Sequence, residues 1–251
     1  MPLLPRLRTL FAVMAVTGPL IAFTEWQIRK LEKAYPLLPS ESAITTAALR
    51  NPTSPGTHTP QIDIFGARVP VSGLLAKAKS DPRLAEASLE ELWARTFWSS
   101  KTLKLEARLF GAGRVAAGQV GENGFKPGAT LISGGMQIMR TPVAGSPLLI
   151  QWHMPDYAIR LFEGLERWGF PWRLMEGGRQ EWIVSRNVTA DGEVTVQYVT
   201  AQDYKVGDGD GKVLPEWAWR LHCAYARYLL DQAVKEVHAQ AAKDSGSSSS
   251  L

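Results

Sequence analysis

The chain has 251 residues, 45% of them hydrophobic, with nine tryptophans, one cysteine and a formal net charge of +4. This apolar content argues for a substantial interior and against disorder. Positive charge spread without a basic block gives little support for nucleic-acid binding and suits an anionic membrane surface.

The single Cys223 excludes an internal disulfide. A reducing compartment is the easier inference, and a disulfide-free luminal domain stays open. After Arg6 and Arg8 the chain is uncharged from Thr9 to Thr24, and Glu25, Arg29, Lys30 and Lys33 follow. The run falls a little short of the roughly 20 residues a helix needs to cross a bilayer. Trp26 at headgroup level completes a transmembrane span from Thr9 to Trp26. Residues 1–34 are therefore expected to be an N-terminal anchor of a single-pass membrane protein, with an endomembrane the expected location. A secretory signal would share the basic start and apolar run, but Leu20-Ile21-Ala22 puts a large side chain where cleavage wants a small one. A core helix of a soluble domain is disfavoured by an apolar surface all round and by Gly18-Pro19 in mid-run, a pair that membrane helices tolerate better. Orientation stays open, because basic residues flank both ends.

Residues 35–59 read as a proline-rich linker, since Pro36, Pro39, Pro52 and Pro55 interrupt every periodic pattern. One domain is expected over 60–241, followed by a flexible serine-rich tail over 242–251. Gln61 to Val69 reads as a strand with Ile62, Ile64 and Phe65 supplying apolar contacts. Ser88-Leu-Glu-Glu91 fits a capping box, and Leu89, Leu92, Trp93 and Phe97 follow at helical spacing. A second helix is expected from about Lys101 to Phe110, stopped by Gly111. Ala129 to Met139 and Leu148 to His153 read as strands joined by a Pro/Gly turn. Asp156 opens a helix in which Tyr157, Leu161, Leu165 and Trp168 share a face, and Gly169 stops it. Glu181 to Val188 and Glu193 to Thr200 form a hairpin around Ala190-Asp191-Gly192, with Val194, Val196 and Tyr198 on one face. Asn187-Val188-Thr189 is a glycosylation acceptor if this part is luminal.

The last helix starts at Leu214-Pro215-Glu216 and runs to about Ala241. Steps of about 100° per residue put Arg220, Arg227, Asp231 and His238 on one side. Trp219, His222, Ala226, Leu229, Leu230, Ala233 and Val237 fall on the other. His222 in the apolar face reads as a general acid/base or ligand partner, or as a core histidine satisfied by a carbonyl. Tyr225, one turn on, is its partner or a rim aromatic. Arg173, Glu176, Arg179 and Glu181 around Gly177-Gly178 read as arginine–carboxylate pairs at a cavity mouth, or as solvated ion pairs on a turn. Trp152-His153 brings an imidazole near Asp156, itself explained as a helix cap. No Gly-x-Ser-x-Gly elbow or His-Glu-x-x-His helix is present. Four histidines and one cysteine without ligand spacing predict no metal. Asp208-Gly-Asp-Gly211 lacks the full calcium-loop pattern. Gly111-Ala-Gly-Arg-Val-Ala116 follows a helix rather than a strand, so no cofactor is expected.

The order strand, two helices, antiparallel strands, long C-terminal helix resembles the helix-grip arrangement of the START-like (SRPBCC) superfamily. The blocks around Phe125-Lys-Pro-Gly128, Trp172-Arg-Leu-Met-Glu-Gly-Gly-Arg179 and His222-Cys-Ala-Tyr-Ala-Arg-Tyr-Leu-Leu230 are also similar to uncharacterised membrane-anchored proteins of filamentous fungi. The helix between Asp156 and Trp168 departs from the simplest superfamily pattern. In that superfamily a curved sheet wraps the last helix around an apolar cavity, and members bind lipids, sterols or polyketides and some cyclise them. The resemblance implies an α+β ligand-cavity domain behind a transmembrane helix. Trp152, His153, Arg173, Glu176, Tyr198 and Tyr225 are its candidate ligand-binding residues. Three function classes follow: a cyclase or isomerase of apolar secondary metabolites, a non-catalytic lipid carrier, and a membrane-tethered interaction scaffold. The first needs His222 as proton donor with Arg179 or Arg173 steadying negative charge.

Overall fold

Two thirteen-residue strands form the spine of the domain. β1 (His58–Pro70) pairs antiparallel with β6 (Glu193–Lys205) from His58 opposite Lys205 to Pro70 opposite Glu193. In this computed structural model, which describes residues 22–40, 46–52, 54–110, 118–206 and 212–248, four further strands complete one antiparallel sheet. They are β2 (Thr130–Leu131), β3 (Met136–Arg140), β4 (Leu148–His153) and β5 (Gly177–Val184), and the strand order is β1-β6-β5-β4-β3-β2. Residues 9–21 of the expected span, the glycine run 111–116 and the 208–211 turn lie outside the described residues.

The helices are α1 (22–34), α2 (Ala47–Arg50), α3 (Val71–Ser80), α4 (Leu89–Trp98), α5 (Lys101–Phe110), α6 (Asp156–Arg167) and α7 (Glu216–Ser248). The fold is thus α+β, with a six-stranded antiparallel sheet and a long C-terminal helix. Among the described residues no helix is long and apolar enough to cross a membrane. The Ser88 hydroxyl caps α4 by accepting from the Glu91 amide at 3.2 Å, as the capping-box pattern predicts. α3 meets α7 at Gly73, where a Cβ would come within 2.2 Å of the Val237 carbonyl oxygen, so only glycine permits this approach.

Both faces of the sheet are covered. Phe65, Ile150, Trp182 and Tyr198 join Trp93, Phe97 and Leu230 in the main core on the α4/α7 face. Ile64, Leu149, Ile183, Val199 and Ala201 form a second layer on the opposite face, where Leu49 of α2 covers them. The proline-rich segment is therefore packed and not a free tether. Leu49 is 0% exposed, Leu38 N–H donates to the Ile64 carbonyl at 3.0 Å, and Thr46 hydrogen-bonds Glu181. Prolines exclude helix and ladder but not an extended chain laid across an apolar face.

Two other expectations are corrected. The strand from Ala129 is broken by Ile132 and Ser133, whose φ of 47° and 55° turn the chain. α7 continues through the serine-rich segment to Ser248, with Asp244 paired to Lys79 at 2.6 Å. On the polar side of α7, Arg220 and Arg227 meet protein, while His238 is exposed. Arg220 is clamped between Glu25 and Glu32 of α1, and Arg227 donates to the Tyr35 carbonyl and lies 4.7 Å over the Phe65 ring. The Glu25–Arg220 pair also assigns the end of the expected Thr9–Trp26 span to a helix docked on the domain.

Candidate functional site

Strand alternation decides which residues can meet. On β5, Gly178, Gln180 and Trp182 share the α7 face, and Gly177, Arg179 and Glu181 share the other. The register places Trp182 opposite Tyr198 and Leu148, and Arg179 opposite Ala201 and Gln151. A cavity of about 220 Å³ lies on the α7 face between the sheet and α4, α5 and α7. Its walls are aromatic. Trp182 stacks between Trp98 and Tyr198 with ring centroids at 5.5 and 5.4 Å, and Trp152 also lines the cavity. The Trp152 indole lies over Gly178, where a Cβ would stand 2.9 Å from its Nε1.

Few polar groups reach this space. Tyr225 donates to Glu106 at 2.5 Å, and both line the cavity with His222 and Gln180. The buried indole N–H groups of Trp98 and Trp182 have no partner among the described residues. Burial pushes the Tyr198 and Tyr225 hydroxyls above their usual range, so both stay protonated donors.

Behind His222 stands a buried polar network. The Gln202 amide nitrogen lies 3.2 Å from Asp63 Oδ2, 2.7 Å from Thr200 Oγ1 and 2.8 Å from His222 Nε2. Trp219 Nε1–H donates to Asp63 at 3.2 Å. The carboxylate can only accept, so it orients the amide with nitrogen inward, and Nε2 of His222 then accepts from that nitrogen. The imidazole therefore holds its proton on Nδ1. Burial lowers the His222 pKa, and nearby Asp63 opposes this in part. Burial raises the Asp63 pKa, with Trp219, His222 and Gln202 acting against it. Cys223 beside Asp63 is pushed up to about 12 by burial, so its thiol is unreactive.

Of the residues singled out from sequence, the structure brings His222, Trp152, Tyr198 and Tyr225 to one cavity. The others lie elsewhere. Arg179 is 4% exposed and paired with Asp203 on the opposite face. His153 contacts Gln151 at 2.7 Å, and Glu176 contacts His58 at 3.0 Å at the end of the sheet. Arg173 binds Glu166 of α6 and the Lys205 carbonyl. Neither arginine can therefore steady charge beside His222. Asn187 is exposed in the β5–β6 loop.

Sequence reasoning missed Asp63, Gln202, Thr200, Glu106 and Gln180. A carboxylate between Ile62 and Ile64 signals burial only once both sheet faces are known to be covered, and the Thr200 boundary cut β6 short of Gln202. Among the described residues no cluster of His, Cys, Asp or Glu could hold a metal ion. Comparison of the chain with protein-family models, with curated proteins and with solved structures found no match.

Proposed function

We propose that this chain is a membrane-anchored domain that binds a small, largely apolar molecule between its sheet and α7, in a helix-grip arrangement like that of START-like proteins. The observation that carries the reading is the aromatic cavity with His222, Tyr225 and Gln180 at its wall. The order of elements and the packing of α7 on the sheet support the helix-grip comparison. Size selects among ligands. A volume of about 220 Å³ falls below the roughly 300–1,000 Å³ of drug-sized pockets. A one- or two-ring compound fits, and a sterol or two-chain lipid does not, which weakens the lipid-carrier reading.

A second reading has its own observation. Burial favours the neutral imidazole of His222 against the pull of Asp63, Gln202 sets its tautomer, and a neutral histidine with a defined tautomer is a proton donor and acceptor. This favours an isomerase or cyclase acting by proton transfer alone.

The test is a thermal-shift screen of one- and two-ring carbonyl and phenolic compounds against the full chain and its Ala226→Phe variant. Ala226 lines the cavity, and phenylalanine there fills it. A ligand at 100 times its Kd adds about 2.7 kcal/mol of stability. Stabilisation of the wild type and not of the filled variant supports the reading. Equal stabilisation of both, or of neither, removes it.

A further inference from the structure

The helix α6 is built inside out. It buries no residue, and Tyr157, Leu161 and Trp168 on its outer side are 72%, 58% and 88% exposed. Its acids point the other way. Glu163 pairs with Lys205 at 3.1 Å, and Glu166 pairs with Arg173 and Lys212. Arg160 and Arg167 are exposed and have no carboxylate partner among the described residues. Phe162 fastens the inner side through Phe170, with ring centroids 6.3 Å apart. The outward surface thus combines tyrosine, leucine and tryptophan with two arginines that have no carboxylate partner among the described residues; of the acids of the helix, Glu163 and Glu166 are held in ion pairs and Asp156 lies exposed in the first turn.

We infer that this face of α6 lies on an anionic lipid surface; the inference rests on the reading of the chain as membrane-attached. Aromatic rings with a polar edge, flanked by cations, are the composition that settles at a headgroup layer. Twelve residues span only about 18 Å, well short of the roughly 30 Å hydrocarbon core, so α6 lies in the plane and does not cross it. Its position fits. Trp217 shares a surface pocket with Glu25 and Ile28 of α1, where the expected anchor ends. From there Trp217 meets Trp172 at 5.7 Å, Trp172 meets Phe170 at 4.9 Å, and Phe170 meets Phe162 of α6. A row of aromatic contacts therefore runs from Trp217, which shares a pocket with α1, to α6.

The experiment uses the full chain in vesicles of phosphatidylcholine alone or mixed with phosphatidylserine. Leu161→Cys carries an environment-sensitive fluorophore, and Val188→Cys in the exposed β5–β6 loop is the control; Cys223 is 1% exposed and stays unlabelled. The label at 161 is expected to shift to the blue and to be quenched by nitroxide lipids in anionic vesicles, and the label at 188 is not. Arg160→Gln/Arg167→Gln should weaken the contact equilibrium by roughly 25-fold, about fivefold per arginine. Alkaline carbonate followed by flotation reports the N-terminal anchor on the same samples. A chain that stays with the vesicles while 161 behaves like 188 overturns the α6 contact and leaves the anchor intact, including the case in which α6 serves a protein partner. Quenching at 161 in a chain that carbonate releases upholds the α6 contact and removes the anchor.

Discussion

The Gln202 amide nitrogen stands between Asp63 and His222, 3.2 Å from the carboxylate and 2.8 Å from Nε2. That nitrogen has two protons and three neighbours, the third being Thr200 Oγ1 at 2.7 Å. The carboxylate orients the amide, and the amide sets the tautomer of the imidazole. His222 is thus the last member of the network and the one that borders the cavity.

Removing His222 leaves both amide protons with acceptors. His222→Leu is therefore expected to cost less than about 1 kcal/mol, against the roughly 1–3 kcal/mol of a substitution that strands a buried polar group. Affinity for the cavity ligand should fall at the same time. Urea unfolding and ligand titration on one preparation check this. A large loss of stability with unchanged affinity would end the case for His222 as a site residue.

The same histidine gives a pH dependence of definite sign. Its folded pKa lies below the ordinary 6.5 because burial disfavours the cation. Between that folded value and 6.5 the unfolded chain binds more protons, so stability falls as pH drops through 6.5 and levels off below the folded pKa. Asp63 works in the opposite sense, since its raised pKa makes protonation in acid favour the fold. Comparing variants isolates the histidine. From about pH 7.5 to about 5 the wild-type melting temperature should drop further than that of His222→Leu. Parallel curves would contradict the assignment.

Much of the architecture was legible because it rests on local signals. The Ser88 cap, the Gly192 turn and the inward face of α7 through His222, Ala226 and Leu230 all follow from spacing and turn chemistry. What was not legible depends on packing across long sequence distances. Nothing local to Arg227 shows that Tyr35, 192 residues away, accepts its Nε–H. Alternation along β5 separates Arg179 from Trp182, but nothing local shows that its partner on the far face is Asp203. Leu49 looked like linker because prolines erase periodicity, while its burial follows from the apolar far face of the sheet.

Arg179 and Asp203 form a buried pair with side chains 4% and 5% exposed. Breaking such a pair from one side leaves a charge without compensation and costs about 3–5 kcal/mol. Arg179→Met should show that loss in denaturant unfolding, with ligand affinity of the folded fraction unchanged, because the pair lies across the sheet from the cavity. Arg179→Met/Asp203→Leu should regain most of the stability. A selective loss of affinity in the single variant would return Arg179 to the binding site.

Residues before β1 are structural for the domain, which gives a truncation experiment a clear expectation. Ile28, Tyr35 and Leu49 are buried, and Arg227, 6% exposed, keeps its Nε–H satisfied through the Tyr35 carbonyl. Losing three buried side chains at about 1.5–3 kcal/mol each removes roughly 5–9 kcal/mol, comparable with the whole stability of an ordinary domain. The second apolar layer over Ile64, Val199 and Ala201 would be uncovered at the same time. A chain of residues 22–248 should therefore unfold cooperatively, whereas residues 60–248 should be poorly packed and prone to aggregate. Calorimetry and proton NMR dispersion on the two chains decide the matter. Equal cooperativity and equal melting temperatures would mean that α1 and α2 rest on the domain without holding it together.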